Sequence, residues 1–254
     1  MRIIILGSGS KGNSTLLIGK NKKILIDVGF SYPQMIKLLG EYDVTPKDID
    51  AVLITHTHKD HISGLKSFVK HTDIPVYTNN EMYDDILKIV DDNYLQLNDD
   101  VYDIGEFNIE PFHTSHDAKG SVGFIVNDDV TSLVYVTDTG YINEKNISRL
   151  KNKNIYIFES NHDINMLMTG PYPYILKQRV VSDKGHLSNL QSGNYLKEII
   201  GNNTKKIVLA HLSEINNTHE LALKTVKEII DCEIDIDAAY QDKPLDLGEM
   251  ICLK

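Results

Sequence analysis

The sequence predicts a single domain of the α/β or α+β class. Short β-rich runs and helical patterns are mixed from one end of the chain to the other. A chain of 254 residues is long enough to bury a large apolar core. No internal repeat, low-complexity stretch or Pro/Gly/Ser linker marks a boundary within it. We therefore treat residues 1–254 as one domain.

The predicted strands are runs of apolar and β-branched residues bounded by turn residues. In chain order they are Arg2–Leu6, Thr15–Ile18, Lys23–Asp27, Ala51–Thr55, Pro75–Thr78, Phe107–Phe112, Val122–Val126, Ser132–Val136, Ile155–Phe158, Lys206–Ala210 and Glu233–Ala239. Gly19-Lys20-Asn21 and Asn127-Asp128-Asp129 separate neighbouring runs and are typical of hairpin loops.

Helical patterns fall between these strands. Thr45 followed by Pro46 is an N-cap with proline at the first helical position, so a short helix begins there. Apolar spacing predicts further helices through Leu65 and Val69 and over 81–90, 143–150 and 218–230. The segment 161–200 is helical with interruptions.

Composition and charge exclude several classes of function. The two cysteines, Cys232 and Cys252, lack the C-x-x-C spacing of a thiolate metal site. The apolar run at the N-terminus is too short for a secretion signal, and no later run approaches the roughly 18 residues of a membrane span. We expect a soluble cytoplasmic protein with no membrane partner. The net charge of -10 argues against nucleic-acid binding over the whole surface.

A glycine-rich loop runs from Gly7 to Gly12 and matches the dinucleotide-binding pattern G-x-G-x-x-G. It also nearly matches a Walker A loop, with Asn13 in place of the lysine. Both phosphate loops require a helix immediately afterwards, because the helix N-terminus binds the anion. Residues 14–18 have a strand pattern instead. We therefore favour a tight turn between two strands.

Four ligand-type residues follow the buried strand that ends at Thr55. They are His56, His58, Asp60 and His61. The first two are two residues apart in an extended segment, so both imidazoles project from the same side. Imidazole and carboxylate without thiolate suit zinc, manganese or iron. The segment is therefore predicted to bind one or two metal ions.

This H-x-H-x-D-H motif resembles the signature of the metallo-β-lactamase superfamily. The resemblance continues at Asp27, Asp138 and His211, each at the end of an apolar strand. His113 and His116 compete for one further ligand position. His116, which is followed by Asp-Ala, is the better match, and His113 is left on the preceding strand as a core or supporting residue.

The resemblance implies an α+β fold, a four-layer αββα sandwich, and two divalent metal ions. Zinc is the expected ion, with Mn²⁺ or Fe²⁺ as alternatives. By resemblance, His56, His58 and His116 hold one ion, Asp60, His61 and His211 hold the other, and Asp138 bridges them. Asp27 supports the ligand loop. A hydroxide between the ions is the expected nucleophile.

Added motifs favour one branch of the superfamily. They are Phe158-Glu159-Ser160-Asn161-His162-Asp163, Gly170-Pro171-Tyr172-Pro173, Gly185-His186-Leu187-Ser188-Asn189, Ala210-His211-Leu212-Ser213 and the N-terminal glycine-rich loop. Together they resemble the YycJ/WalJ-type branch. This resemblance implies a phosphodiesterase, a DNA exonuclease acting from 5′ ends and connected with mismatch repair, with nucleic acid as its partner.

The predicted catalytic residues are His186, Glu159 and Asp60. A phosphodiesterase must protonate its leaving alkoxide, and His186 oriented by Glu159 is the candidate acid. Alternatively, His186 supports the helix that starts near Ser188. Basic side chains on either side of the site could contact phosphates, and two tyrosines could stack on a base. These are Lys11, Lys59, Lys177, Arg179, Lys184, Tyr172 and Tyr174.

Two other classes of function stay open at this point. A small-molecule hydrolase acting on a thioester, lactone or cyclic phosphodiester would use the same metals and nucleophile. A non-catalytic partner in a signalling operon would not need the full set of ligands. The sequence does not predict the oligomeric state.

Overall fold

The computed structural model describes residues 1–249, in which two seven-stranded β-sheets are flanked by helices. The strands are β1 Arg2–Gly7, β2 Ser14–Ile18, β3 Lys23–Ile26, β4 Ala51–Leu53, β5 Val76–Thr78, β6 Leu95–Leu97, β7 Tyr102–Ile104, β8 Phe107–His113, β9 Val122–Asn127, β10 Ser132–Val136, β11 Ile155–Glu159, β12 Lys206–Ala210, β13 Asp235–Ala238 and β14 Leu245–Glu249. The helices are α1 Tyr32–Gly40, α2 Lys59–Ile62, α3 Leu65–Thr72, α4 Tyr83–Leu87, α5 Glu144–Leu150, α6 Ile164–Thr169, α7 Tyr174–Val180, α8 Asn189–Ile199 and α9 His219–Ile230.

The two sheets are mixed. The first has the order β14-β1-β2-β3-β4-β5-β6 and the second the order β13-β12-β11-β10-β9-β8-β7. In the first sheet β14, β1, β2 and β3 pair antiparallel, and β3 to β6 pair parallel. In the second, β7 to β10 pair antiparallel and β10 to β13 parallel. Each sheet therefore contains a block of parallel strands whose carboxyl ends share one edge.

Alternation along the strands of the second sheet creates two apolar layers. Tyr135 of β10 belongs to a core that also contains side chains of the first sheet and Phe68 of α3. Its neighbour Val134 belongs to a second core with Leu196 of α8 and Val226 of α9. Because successive side chains of a strand point to opposite faces, the second sheet lies between the first sheet and a layer of helices. The predicted α+β sandwich is confirmed.

The glycine-rich loop connects two strands of one sheet. Strand β1 pairs antiparallel with β2, with Gly7 opposite Ser14. Gly9 has a φ of 150°, and a Cβ atom there would lie 2.6 Å from Oε1 of Gln241. A residue with a side chain would therefore be strained at this position. The prediction of a strand-to-strand turn is confirmed.

The helix predicted over 81–90 was too long, since α4 covers only Tyr83–Leu87. The side chain of Asn79 accepts a hydrogen bond from the Met82 N–H at 3.0 Å and fixes the turn that precedes the helix.

Cys232 is an exposed free thiol, and Cys252 lies outside the described residues. Within residues 1–249, no helix is both long and apolar enough to cross a lipid bilayer.

Candidate metal centre

Polar residues follow four strands whose carboxyl ends face one another. Asp27 follows β3 and His56 follows β4 in the first sheet, whereas Asp138 follows β10 and His211 follows β12 in the second. Asp27, Asp138 and His211 have φ values of 62°, 56° and 55°. The left-handed region is unfavourable for residues other than glycine, and such residues cluster at functional sites. The backbone is therefore left-handed directly after strands β3, β10 and β12, next to the potential metal ligands described below.

One group of potential ligands consists of His56, His58 and His116. One ring nitrogen of each lies within 4.8 Å of the others. His56 is fully buried, and its Nε2 has no hydrogen-bond partner among the described residues. Burial holds the pKa of His56 well below its usual value and also lowers that of His116. A buried neutral imidazole with a free nitrogen is what a divalent metal requires, so these residues fit a metal ion.

A second group consists of Asp60, His61 and His211, again with ligand atoms within 4.8 Å of one another. Asp138 lies between the two groups. One of its oxygens is 3.3 Å from Nε2 of His61, and the other is 3.8 Å from Nε2 of His116. Burial opposes ionisation of Asp138, but the imidazoles of His211 and His61 outweigh it and hold its pKa well below the usual value. Asp138 is therefore a carboxylate that faces both groups.

Asp27 supports the loop of residues 55–61, which carries four of the potential ligands. Its carboxylate is fully buried and accepts hydrogen bonds from N and Oγ1 of Thr55 at 2.8 and 2.7 Å. One of its oxygens also lies 2.7 Å from Nδ1 of His61. This contact occupies one ring nitrogen of His61 and leaves Nε2 facing the centre.

Asn13 also contacts the potential ligands, a role that was not predicted from the sequence. Its Nδ2 lies 3.1 Å from Oδ2 of Asp60 and 3.0 Å from Nε2 of His61. Its Oδ1 accepts a hydrogen bond from the Gly9 N–H at 2.8 Å, which fixes the glycine-rich loop against the cluster. From the same loop, Ser8 Oγ accepts a hydrogen bond from the His211 N–H at 2.9 Å. The only local signal was an asparagine directly after the glycines.

His186 and Glu159 form a pair beside the cluster. Nδ1 of His186 lies 2.7 Å from Oε1 of the fully buried Glu159. The backbone N–H groups of Thr139 and Leu187 donate to its Oε2 at 3.0 and 3.1 Å. Burial lowers the pKa of His186, but the charge and hydrogen bond of Glu159 outweigh it and raise the pKa to about 9. Nδ1 of His186 is also 3.7 Å from Asp138.

The remaining histidines lie outside the two groups. His113 is exposed at the end of β8, and its carbonyl accepts a hydrogen bond from Asn146. His162 is buried, which lowers its pKa to about 4, and its Nδ1 has no partner among residues 1–249. His71 stacks on Tyr32 and His219 on Tyr240.

A cavity of about 220 Å³ opens onto the cluster. Its lining combines cluster residues with polar and aromatic side chains from other segments. The lining residues are Ser10, His58, Asp60, Asp138, Asn161, Tyr172, Leu176, Arg179, Val180, His186, His211 and Ser213. Two larger cavities, of about 340 and 420 Å³, are not lined by Asp138 or by any residue of the two ligand groups. The small cavity is therefore the site where a substrate would meet the potential ligands.

Comparison with known proteins identifies the family. Residues 7–211 match the family model of the metallo-β-lactamase superfamily. The chain belongs to this superfamily of metal-dependent hydrolases.

Two relatives extend over most of the chain. It is 34% identical over 232 residues to the exodeoxyribonuclease YycJ of Bacillus anthracis, an alignment that covers 89% of this chain and 88% of the relative. It is 36% identical over 245 residues to the exodeoxyribonuclease WalJ of Streptococcus pneumoniae, covering 93% and 91%. The predicted resemblance to the YycJ/WalJ-type branch is confirmed.

Solved structures share the fold at lower identity. The metallo-β-lactamase fold protein YhfI of Bacillus subtilis aligns with a TM-score of 0.75 at 20% identity and covers 96% of this chain and 98% of its own. A diphosphatase from the PhnP family aligns over all of both chains with a TM-score of 0.70 at 18% identity. At these identities the similarity shows the fold alone.

Proposed function

We propose that this protein is a dinuclear metal-dependent phosphodiesterase that degrades DNA as an exonuclease in the 5′ to 3′ direction. The observation that carries this proposal is the pair of three-residue groups on either side of Asp138, beside a cavity that also contains His186. The relatives YycJ and WalJ are named exodeoxyribonucleases, which supports DNA as the substrate. The proposed place of action is the cytoplasm.

The proposed metal ligands are those that the sequence predicted. His56, His58 and His116 would hold one ion, Asp60, His61 and His211 the other, and Asp138 both. Two divalent ions there would supply a water of lowered pKa and polarise a phosphoryl oxygen. Nitrogen and oxygen donors without thiolate suit zinc, with manganese and iron as alternatives.

His186 is the proposed general acid. It lies in the cavity wall, its side chain is 19% exposed, and Glu159 holds it by Nδ1. Nε2 is therefore the ring nitrogen that can donate a proton to the leaving oxygen. The raised pKa keeps this proton in place at neutral pH. The backbone N–H groups of Thr139 and Leu187 fix the Glu159 carboxylate in place while His186 changes charge.

The acidic surface is compatible with DNA if attraction is confined to the site. The net charge of -10 disfavours binding along the length of a duplex. Two bound divalent ions would add about four positive charges where the scissile phosphate lies. Such a distribution favours contact with a chain end over contact along a chain. This is the charge argument for an exonuclease.

The direct test uses purified protein loaded with zinc or manganese. It should hydrolyse bis-p-nitrophenyl phosphate and shorten end-labelled DNA, releasing label from the 5′ end first. A thioester and a lactone serve as competing substrates. Turnover of the thioester or lactone without turnover of DNA would refute the nuclease proposal and support a small-molecule hydrolase on the same site.

A further inference from the structure

Among the described residues that line the cavity of about 220 Å³ next to the ligand groups, Arg179 is the only lysine or arginine. It belongs to α7, together with Leu176 and Val180, which also line the cavity. Residues separated by three and four positions lie on the same face of a helix, so this face of α7 is turned towards the potential metal ligands. The guanidinium is thus placed at the site by the helix itself.

Asp117 anchors the guanidinium through one nitrogen only. Nε of Arg179 donates a hydrogen bond to Oδ2 of Asp117 at 2.6 Å. The other oxygen of Asp117 is 3.3 Å from Nε2 of His58, a proposed metal ligand. Within residues 1–249, neither Nη nitrogen of Arg179 donates a hydrogen bond, and the side chain is 54% exposed. A held guanidinium with two free nitrogens is suited to bidentate binding of a phosphate.

Two other basic side chains near the site have hydrogen-bond or ion-pair partners of their own. Nζ of Lys11 forms an ion pair with Glu214 at 2.7 Å. Nζ of Lys177, on the same helix as Arg179, donates to the carbonyl of Met168 at 2.7 Å and is not part of the cavity wall. Arg179 therefore combines a position in the cavity with free donor groups.

We propose that Arg179 binds a second phosphate of the substrate, next to the phosphate that is hydrolysed. This inference rests on the proposed phosphodiesterase function and deepens it. The bound metal ions would contact the scissile phosphate, whereas Arg179 contacts a neighbouring phosphate when the substrate has one. Asp117 is a positioning residue that fixes the guanidinium relative to His58. The site then distinguishes an oligonucleotide from a compact molecule with a single phosphodiester.

Short thymidine substrates test this assignment. TpT carries only the scissile phosphate, whereas pTpT and TpTp each add one neighbour. The wild-type enzyme should bind at least one of the two phosphorylated forms better than TpT, as a lower KM. Arg179→Ala should raise that KM about 10- to 100-fold, as expected for the loss of hydrogen bonds to a charged group, and remove the preference. Its kcat/KM on TpT should fall by much less than its kcat/KM on the preferred phosphorylated form.

Matched variants and readouts separate the outcomes. Lys177→Ala removes a charge from the same helix and should keep the preference, and metal content should be unchanged in both variants. An equal loss on TpT and on pTpT or TpTp would show that Arg179 acts through Asp117 and His58, and would overturn the inference. An unchanged preference in Arg179→Ala would overturn it as well. Wild-type protein that shortens end-labelled DNA but hydrolyses none of the three would also overturn the inference, because one neighbouring phosphate would then not be enough for recognition. Wild-type protein that hydrolyses none of the three and does not shorten DNA would refute the proposed function itself.

Discussion

Glu159 accepts a hydrogen bond from His186 at 2.7 Å and is itself completely buried. Two backbone N–H groups occupy its second oxygen, so the carboxylate has no freedom to turn away. The charge of Glu159 and its hydrogen bond with His186 raise the pKa of the histidine. The hydrogen bond fixes the orientation of the His186 ring, and the raised pKa favours its protonated form.

The first prediction concerns the acid. His186→Ala should lower the rate of phosphodiester hydrolysis by about 10²- to 10⁴-fold, the usual contribution of a general acid, while both metals stay bound. Activity and metal content are measured on the same sample. A wild-type rate in this variant would show that His186 only supports the neighbouring helix.

The second prediction concerns pH. His186 must be protonated to act, so the rate should fall as the pH rises through the pKa of His186, which is about 9 in the metal-free protein. Bound cations would lower this value, so the decline is expected at or below pH 9. Glu159→Gln removes the negative charge that raises the pKa and should move the decline to lower pH. An unmoved pH profile of kcat/KM would contradict the assignment.

The third prediction compares two neighbouring histidines. His116→Ala should lose bound metal, because its Nε2 points into the ligand group and is 3.2 Å from Nδ1 of His58. His113→Ala should keep the metal, since that side chain is exposed and outside both groups. Elemental analysis of the two purified variants decides between them. Metal loss in His113→Ala alone would reverse the assignment.

The fourth prediction concerns support of the ligand loop. Asp27→Asn retains the size of the side chain but removes the charge that Thr55 and His61 contact. The affinity for metal should fall about 10- to 100-fold, as is usual when a partner of a ligating histidine is changed. Competition with a chelator measures the change. Equal affinities in variant and wild type would mean that Asp27 is not needed to hold His61.

The fifth prediction concerns stability. A Cβ atom on Gly29 would lie 1.9 Å from the carbonyl oxygen of Asp60 and 2.4 Å from N of Asn13. Gly29→Ala should therefore lower the free energy of unfolding by about 1–3 kcal/mol or more and weaken metal binding. Gly40→Ala is the control, because nothing lies within 4 Å of that position and alanine is favoured in a helix. Urea unfolding of both variants should give effects of opposite sign.

Much of the fold was predictable because its central strands are continuous apolar runs. Strands β10, β11 and β12 lie inside the second sheet and are buried nearly throughout. Strand β14 was not predicted, because its residues are half exposed and its strand character comes from pairing with β1 at the other end of the chain. Strands β6 and β7 were not predicted, because each has 3 residues of which only one is buried.

One missed element did carry a local signal. Ser31 and Gln34 form a capping box at the start of α1, with proline in the first turn. The pattern S-x-x-Q before an apolar helix is readable from sequence. The four ligand-type residues between His56 and His61 were predictable for a similar reason, since they form one contiguous motif. The contacts of Asn13 with Asp60 and of Arg179 with Asp117 were not, because each depends on how distant segments fold together.

The strand pairing of the two sheets follows one pattern. Counted from β14 in the first sheet and from β7 in the second, antiparallel pairings come first and parallel pairings follow, in equal number. Asp27 and Asp138 leave equivalent strands, β3 and β10, with the same left-handed backbone. The molecule thus has two pseudo-symmetric halves. Each of the two proposed ligand groups draws on both halves, since His116 and His211 come from the second and the remaining histidines of both groups from the first. The centre can therefore form only when the two half-domains dock.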